Sequence, residues 1–185
     1  MSSNARLVGL ELAKARLAAI NRSVDPIARG ATNTTATQTR QTQYIAPMSA
    51  LFYDKAFLRR RMVIKRAGRK RSDARIIPSS SGIPVTEWPG WNYSALSPTR
   101  GRIYVRDLQG RKIAAGFVNP AAKQRKPVRT RGFKGANGRK MKPALGPSLA
   151  FFFRRLTTSK TIRWTNAFLQ QEFERRMRRE LAKYQ

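Results

Sequence analysis

The sequence predicts an α+β fold: N-terminal helices and a long C-terminal helix packed on a small, mostly antiparallel β-sheet, with long basic loops. Three observations predict it. Apolar residues recur at helical spacing at both ends, Leu7, Leu10, Leu17, Ile20 and Val24 at one and Ile162, Leu169, Phe173, Met177, Leu181 and Tyr184 at the other. Between them lie short β-prone runs broken by Gly, Ser and Pro, and "GRIYVRDLQGRKIAAGFV" alternates Ile103 and Val105 with Arg102, Tyr104 and Arg106. A chain of 185 residues, 41% of them hydrophobic, can also bury a sizeable core. Residues 1–185 are therefore read as one domain: a helical part 4–45, a sheet region 60–118, a basic loop or arm 119–142 and a C-terminal helical part 147–184.

The first helix is expected over about 4 to 22, after Ser2, Ser3 and Asn4, all residue types that cap. Asp25 followed by Pro26 repeats the start signal, an acidic cap with proline at the first helical position, and predicts a second helix from there. Its interior, "ATNTTATQTRQTQYI", is rich in β-branched Thr and shows neither a period of two nor one of 3.6, so propensity favours helix only slightly. Pro47 is expected to end that element, with a short helix following around 49 to 60.

"RRMVIKRA", "DARIIP" and "GIPVTEW" read as short strands, and Gly110 as the turn of a hairpin that returns over Ile113 to Val118. Residues 119 to 142 hold nine cations, three glycines and almost no periodicity, the mark of a long mobile loop or arm. Pro147 stands where a helix could open, and from Thr161 the final helix is expected to lay its apolar stripe on the sheet. Glu172 with Arg176 and Glu174 with Arg178 stand in the favourable i, i+4 order along it.

Charge narrows the partners. Thirty-nine Lys and Arg face nine Asp and Glu, a formal net charge of +30, and residues 108 to 171 hold fifteen cations and no carboxylate. Self-repulsion on this scale calls for a polyanion or an acidic protein surface. Cys and His are absent from the sequence, which removes disulfides, the usual zinc ligands, thiol nucleophiles and the commonest general base. An enzyme, a cofactor, a metal and a small-molecule substrate are accordingly not expected. No apolar run approaches the ~20 residues of a membrane span, so no membrane partner is expected, and the sequons at Asn21, Asn33 and Asn92 read as accidental.

Three stretches invite a functional reading. "GFKGANGRK", 132 to 140, has the glycines and lysines of a phosphate loop but not the GxxxxGK[ST] spacing, and reads as a flexible basic loop. "TEWPGWNY", 86 to 93, places Trp88 and Trp91 among Pro and Gly, and they are assigned to docking on a protein partner. "DKAFLRRRMVIKRAGRKRSDARI", 54 to 76, carries ten cations, yet Met62, Val63 and Ile64 run through it, which predicts a folded segment with its arginines outward rather than a loose arm. Contact with DNA or acidic partners is assigned to Arg59, Arg60, Arg61, Lys65, Arg66, Arg69, Lys70 and Arg71, and to Lys123, Arg125, Lys126, Arg129, Arg131 and Lys134.

Taken in order, "LAAINRS" at 17 to 23, "FLRRRMVIKRAGRKRSDARI" at 57 to 76, "GRKIAAGFV" at 110 to 118 and "GPSLAFFF" at 146 to 153 before a basic terminal helix resemble the minor tail protein Z family of tailed bacteriophages, the tail-completion proteins of lambdoid type. The tryptophan loop 86–93 and the acid-free arm depart from that pattern. The resemblance implies a single tail-completion-like domain in which the Thr-rich segment 26 to 44 is helical. It implies a virion protein without enzymatic activity, assembled in the host cytoplasm and placed at the head-proximal end of the tail, which it makes competent to join the head. The implied partners are tail tube or terminator and connector proteins, other copies in a homo-oligomeric ring, and the genomic DNA end. The alternative from another class is an RNA-binding ribosomal protein, whose basic loops would thread folded RNA.

Overall fold

Helix α1 runs unbroken over Ser3–Thr39, straight through Pro26, where two helices were expected. The computed structural model describes the backbone of residues 3–52, 54–135 and 138–184, and the side chains of 16–52, 54–130 and 141–183. A proline inside a helix forfeits one backbone hydrogen bond and crowds the preceding turn, at a cost of ~3 kcal/mol. Tertiary bonds on both sides of Pro26 offset that cost: Ser23 donates to Glu180 at 3.0 Å, and Thr34 accepts from Arg176 at 2.9 Å. The Thr-rich half is helical for a reason that propensity does not register. Thr32 and Thr37 donate to the carbonyls of Ala28 and Asn33 one turn back, while Thr35 and Thr39 are buried.

A π-helical turn, Arg40–Ile45, buries Tyr44 and Ile45, and the one-turn α2, Ala46–Met48, follows. Pro47 opens this turn instead of closing the helix before it, a place where its missing N–H costs nothing. Helix α3, Lys55–Arg61, starts where Asp54 caps it, accepting from the amides of Ala56 and Phe57 at 2.7 and 3.1 Å.

Among the described residues nine strands follow in chain order: β1 Met62–Lys65, β2 Arg75–Pro78, β3 Gly82–Pro84, β4 Asn92–Ser97, β5 Arg100–Asp107, β6 Gly110–Val118, β7 Val128–Gly135, β8 Gly138–Pro143 and β9 Leu145–Ser148. Strands β1 and β2 pair as a two-stranded sheet. The larger sheet has the order β3-β9-β6-β5-β4, with β7 pairing to β6 and β8, and each of its described pairings is antiparallel. The expected hairpin is β5 with β6, turning at Gly110, whose φ of 122° suits glycine. The segment expected as a mobile loop is instead largely the β7–β8 hairpin, paired from Val128↔Pro143 to Gly135↔Gly138 with a register shift between Arg131 and Gly135. Its six cations are interspersed with Gly, Thr and single apolar residues, so no apolar alternation announced the pairing.

Pro147 lies within β9 and does not open a helix; Ser148 accepts from the amide of Phe151 and starts α4, Leu149–Leu156. Thr158 then caps α5, Ser159–Leu181, accepting from the Thr161 amide at 3.4 Å. The secondary structure, 48% helix and 29% strand, is α+β with a long C-terminal helix.

Two compact units result. The first comprises residues 1–40, 64–76 and 157–185, and in it α1 and α5 pack along each other. Hydrogen bonds pair Ser23 with Glu180, Thr34 with Arg176 and Thr39 with Thr165, so the two helices run antiparallel. The face of α5 that meets α1 is therefore not the apolar stripe expected to lie on the sheet but a polar one, with Thr165, Arg176 and Glu180 bonded to α1. Glu172 is 6% exposed, whereas Ile162 and Leu181 at the stripe's ends are exposed. Arg175 and Arg176 both donate to Glu172 at 2.7–2.8 Å. Burial alone would raise the Glu172 carboxyl; hydrogen bonds from Arg175 and Arg176 outweigh it and hold the group below its ordinary range. Gly30 makes room for this pair, since a Cβ there would sit 2.5 Å from the Arg176 guanidinium.

The second unit, residues 41–63 and 77–156, has an aromatic core. Phe52 packs on Trp88 with ring centroids 4.9 Å apart and edge-on to Phe152 at 6.1 Å. Trp88 lies directly on Gly146, where any Cβ would come within 2.6 Å of the indole. Beside this core, Asp107 bonds Arg155 at 2.6 Å, and the Phe151 ring lies between Lys112, 3.9 Å from its centroid, and Arg155 at 5.3 Å.

Candidate polyanion interface

The basic stretch 54–76 divides between the two units. Arg59, Arg60 and Arg61 end α3 in the second unit, while Lys65, Arg66, Arg69, Lys70 and Arg71 belong to the first. The reason is local: apolar Leu58 and Met62 are fully buried, and Asn33 on α1 captures the chain farther on.

That capture is specific. The Asn33 amide nitrogen donates to the Ala67 carbonyl at 3.1 Å, and its oxygen accepts from the Ala67 N–H at 2.8 Å. Asn33 thus satisfies both backbone groups of one loop residue, as a neighbouring strand would. Immediately after it, Gly68 and Arg71 exchange backbone hydrogen bonds at 2.7 and 3.2 Å, closing a tight turn. Asp73 ties the exit through ion pairs with Arg71 and Arg75. The Arg75 hydrogen bond, helped by the Arg71 charge, holds the Asp73 carboxyl below its ordinary range.

Lys65, Arg66, Arg69 and Lys70 are exposed and, among the described residues, have no acidic partner. A small cavity of about 160 Å³ lies under the turn, lined by Asp25, Ala28, Arg29, Gly68, Arg69 and Ser72. The turn is a fixed display of positive charge. Phosphates or carboxylates could approach it without first ordering the chain, which lowers the entropic cost of association.

The α3 arginines are less free. Arg59 donates to Gln41 at 3.3 Å, Arg60 reaches Asp54 at 3.7 Å, and Arg61 lies over the Phe57 ring, 4.7 Å from its centroid. One guanidinium nitrogen of Arg61 is fully buried and the residue as a whole is half-buried, so only part of this side chain is open to a partner.

In the second unit, Lys123, Arg125 and Lys126 stand exposed on the segment leading to the β7–β8 hairpin, with no acidic partner among the described residues. Arg129 is half-buried and spans the hairpin, donating to the Pro143 carbonyl at 3.3 Å, a structural bond as much as a display of charge. Arg131 and Lys134 are in β7 by backbone, and their side chains lie outside the described residues, as does the side-chain face of "GFKGANGRK".

The tryptophans separate. Trp88 is fully buried on Phe52 and Gly146, so the docking role given to it is corrected: Pro and Gly around it shape a loop that inserts the indole into the core. Trp91 is half-buried and keeps an accessible edge.

One basic surface was not assigned from sequence at all. Register places Ser94, Arg102 and Phe117 across one row of the sheet, Asn92, Tyr104 and Ile113 across the next, and Arg106 with Arg111 beyond. All of these share the face opposite to buried Ile103 and Val105. The signal was present in the alternation through β5; only the pairing with β6 shows that a second strand adds to the same face.

Among the described residues, no group of three or more His, Cys, Asp or Glu could hold a metal ion, and no helix is long and apolar enough to cross a membrane. Compared with family models, curated proteins and solved structures, the chain matches none.

Proposed function

We propose that the chain is a structural virion protein of a tailed phage, completing the head-proximal end of the tail and enabling head–tail joining. It acts as a homo-oligomeric ring against tail tube or terminator and connector proteins, with the genome end among its contacts, and it carries out no catalysis. The order of sequence motifs supplies the family; one structural observation supports the mode of action. Lys65, Arg66, Arg69, Lys70, Lys123, Arg125 and Lys126 are exposed and, among the described residues, form no ion pair with an acid of the chain, which supports a countercharge supplied from outside. Copies related by rotation would sum these fields around an axis.

The helical state of 26–45 is also what that family reading requires of a Thr-rich segment.

Two measurements test the reading. Expressed with its phage, the protein should sediment with particles and sit at the tail's head-proximal end in electron micrographs; copurification with ribosomal RNA instead overturns it. Neutralising Lys123, Arg125 and Lys126 together should flatten the salt dependence of DNA binding by up to ~0.9 for each phosphate that is no longer neutralised. An unchanged slope with failed particle assembly assigns the segment to acidic protein partners within the same reading.

A further inference from the structure

We propose that the outward face of β4, β5 and β6 is a stacking platform for single-stranded nucleic acid. This rests on the sheet alone and stands apart from the virion reading. The face carries two aromatic rings on adjacent rows, Tyr104 and Phe117, both half-buried against the sheet and open outward. Around them stand four exposed arginines, Arg100, Arg102, Arg106 and Arg111.

Two of those guanidiniums already pair with the rings. Arg111 lies 5.4 Å from the Tyr104 centroid and Arg100 lies 5.7 Å from that of Phe117. The carboxylate nearest in sequence, Asp107, is turned away and bonded to Arg155, so no acid opposes an incoming phosphate among the described residues of the face. At one end, Pro89 and Gly90 wall a cavity of about 280 Å³ whose floor is Tyr104, Arg106 and Arg111. That is close to the ~300 Å³ lower bound of ligand clefts. Gly90 makes the wall through a φ of 67°, which a residue with a side chain rarely adopts.

The chemistry separates the occupants. An acidic peptide would use the arginines but has no use for two rings among them, and a duplex keeps its bases stacked internally, out of reach. An unpaired strand presents a base face and a phosphate per residue, which is the alternation this face offers. Recognition is then tolerant of base sequence and steeply dependent on salt.

The test is fluorescence anisotropy of the full chain with a labelled oligothymidine, beside a duplex of the same length. Tyr104→Ala should weaken the single strand at least ~5-fold, the effect of losing one stacked base, with duplex affinity unchanged and with Tyr104→Phe retaining wild-type binding. Equal weakening toward both nucleic acids, or none, overturns the proposal. Ultraviolet cross-linking of the wild-type protein to the same oligonucleotide keeps the question open to decision if the alanine variant does not fold. Adducts at Tyr104 or Phe117 support the platform, and adducts confined to 119–142 reject it. Neither result alters the sedimentation test of the virion reading.

Discussion

The two units solve the same problem, burying a face, with opposite materials. In the second, Trp88, Phe52, Phe152, Met48 and Leu149 fill the interior and shape alone fixes the arrangement. In the first, the seam between α1 and α5 is lined by Ala31, Thr35, Thr39, Thr161 and Glu172, and hydrogen bonds fix the register. That contrast marks where the excess charge is tolerated. A seam that spends a carboxylate on two arginines can accept cations near its interior, whereas the aromatic core meets them at ring faces, with Lys112 and Arg155 on Phe151 and Arg61 on Phe57. Burial of apolar rings is insensitive to pH and salt; a bonded ion pair is not.

The largest effect that can overturn this contrast is expected at Trp88. Trp88→Ala removes a fully buried indole from its place on Phe52 and Gly146, and core deletions of this size cost ~3–5 kcal/mol. Urea titration followed by hydrogen exchange should show the loss in residues 77–156, with α1 and α5 retaining protection. If α1 and α5 lose protection to the same extent, the units unfold as one and the contrast is only compositional.

Next comes Glu172. Glu172→Gln keeps the size and removes the charge, leaving Arg175 and Arg176 uncompensated at the seam; because both arginines are partly solvated, the expected cost is about 2 kcal/mol near neutral pH. The pH dependence follows from its lowered pKa. The unfolded carboxyl titrates near 4.5, so the stabilisation is fully present above that value and is lost as pH falls through the lower folded pKa. The stability gap between wild type and Glu172→Gln should therefore be constant at pH values well above 4.5 and narrow progressively as pH falls below it. A gap that does not change with pH would mean that Glu172 acts through packing, and the first unit would resemble the second.

Much of the secondary structure was legible, and the failures have one cause. Alternation gave the β5–β6 hairpin, and the helical spacing of apolar residues gave α5 from Thr161 where it opens at Ser159, because those signals are local. Pro26, Pro47 and Pro147 each misled, since a proline's effect depends on what else holds the chain: bonds across the seam keep α1 intact, and Pro147 falls at an irregularity of β9 beside the Gly82/Ile83 register shift. The β7–β8 hairpin was silent because its backbone pairs while its sequence mixes cations and glycines with only isolated apolar residues. For the interface, the exposed cations were readable as charge, but not the burial of one Arg61 nitrogen, nor Trp88 in the core. The sheet face required knowing that Arg102 pairs with Phe117 across a bulge.

The smallest effect lies where the polar seam meets function, at the basic turn. Asn33→Ala removes both bonds to Ala67, each worth about 1 kcal/mol, but alanine is the better helix former, so the global loss should stay near 1 kcal/mol. Its main consequence is local. Amides of 66–73 should exchange faster while α1 stays protected, and a turn that must be ordered on binding should hold DNA more weakly at every salt concentration. Because the number of cations is unchanged, the slope of log affinity against log salt should stay the same. Measuring both separates charge from its presentation: a weaker intercept with the same slope shows that Asn33 acts by holding Lys65, Arg66, Arg69 and Lys70 in place. Wild-type affinity would show that the polyanion is met by a loose chain, and that the ordered display of this turn contributes nothing to binding.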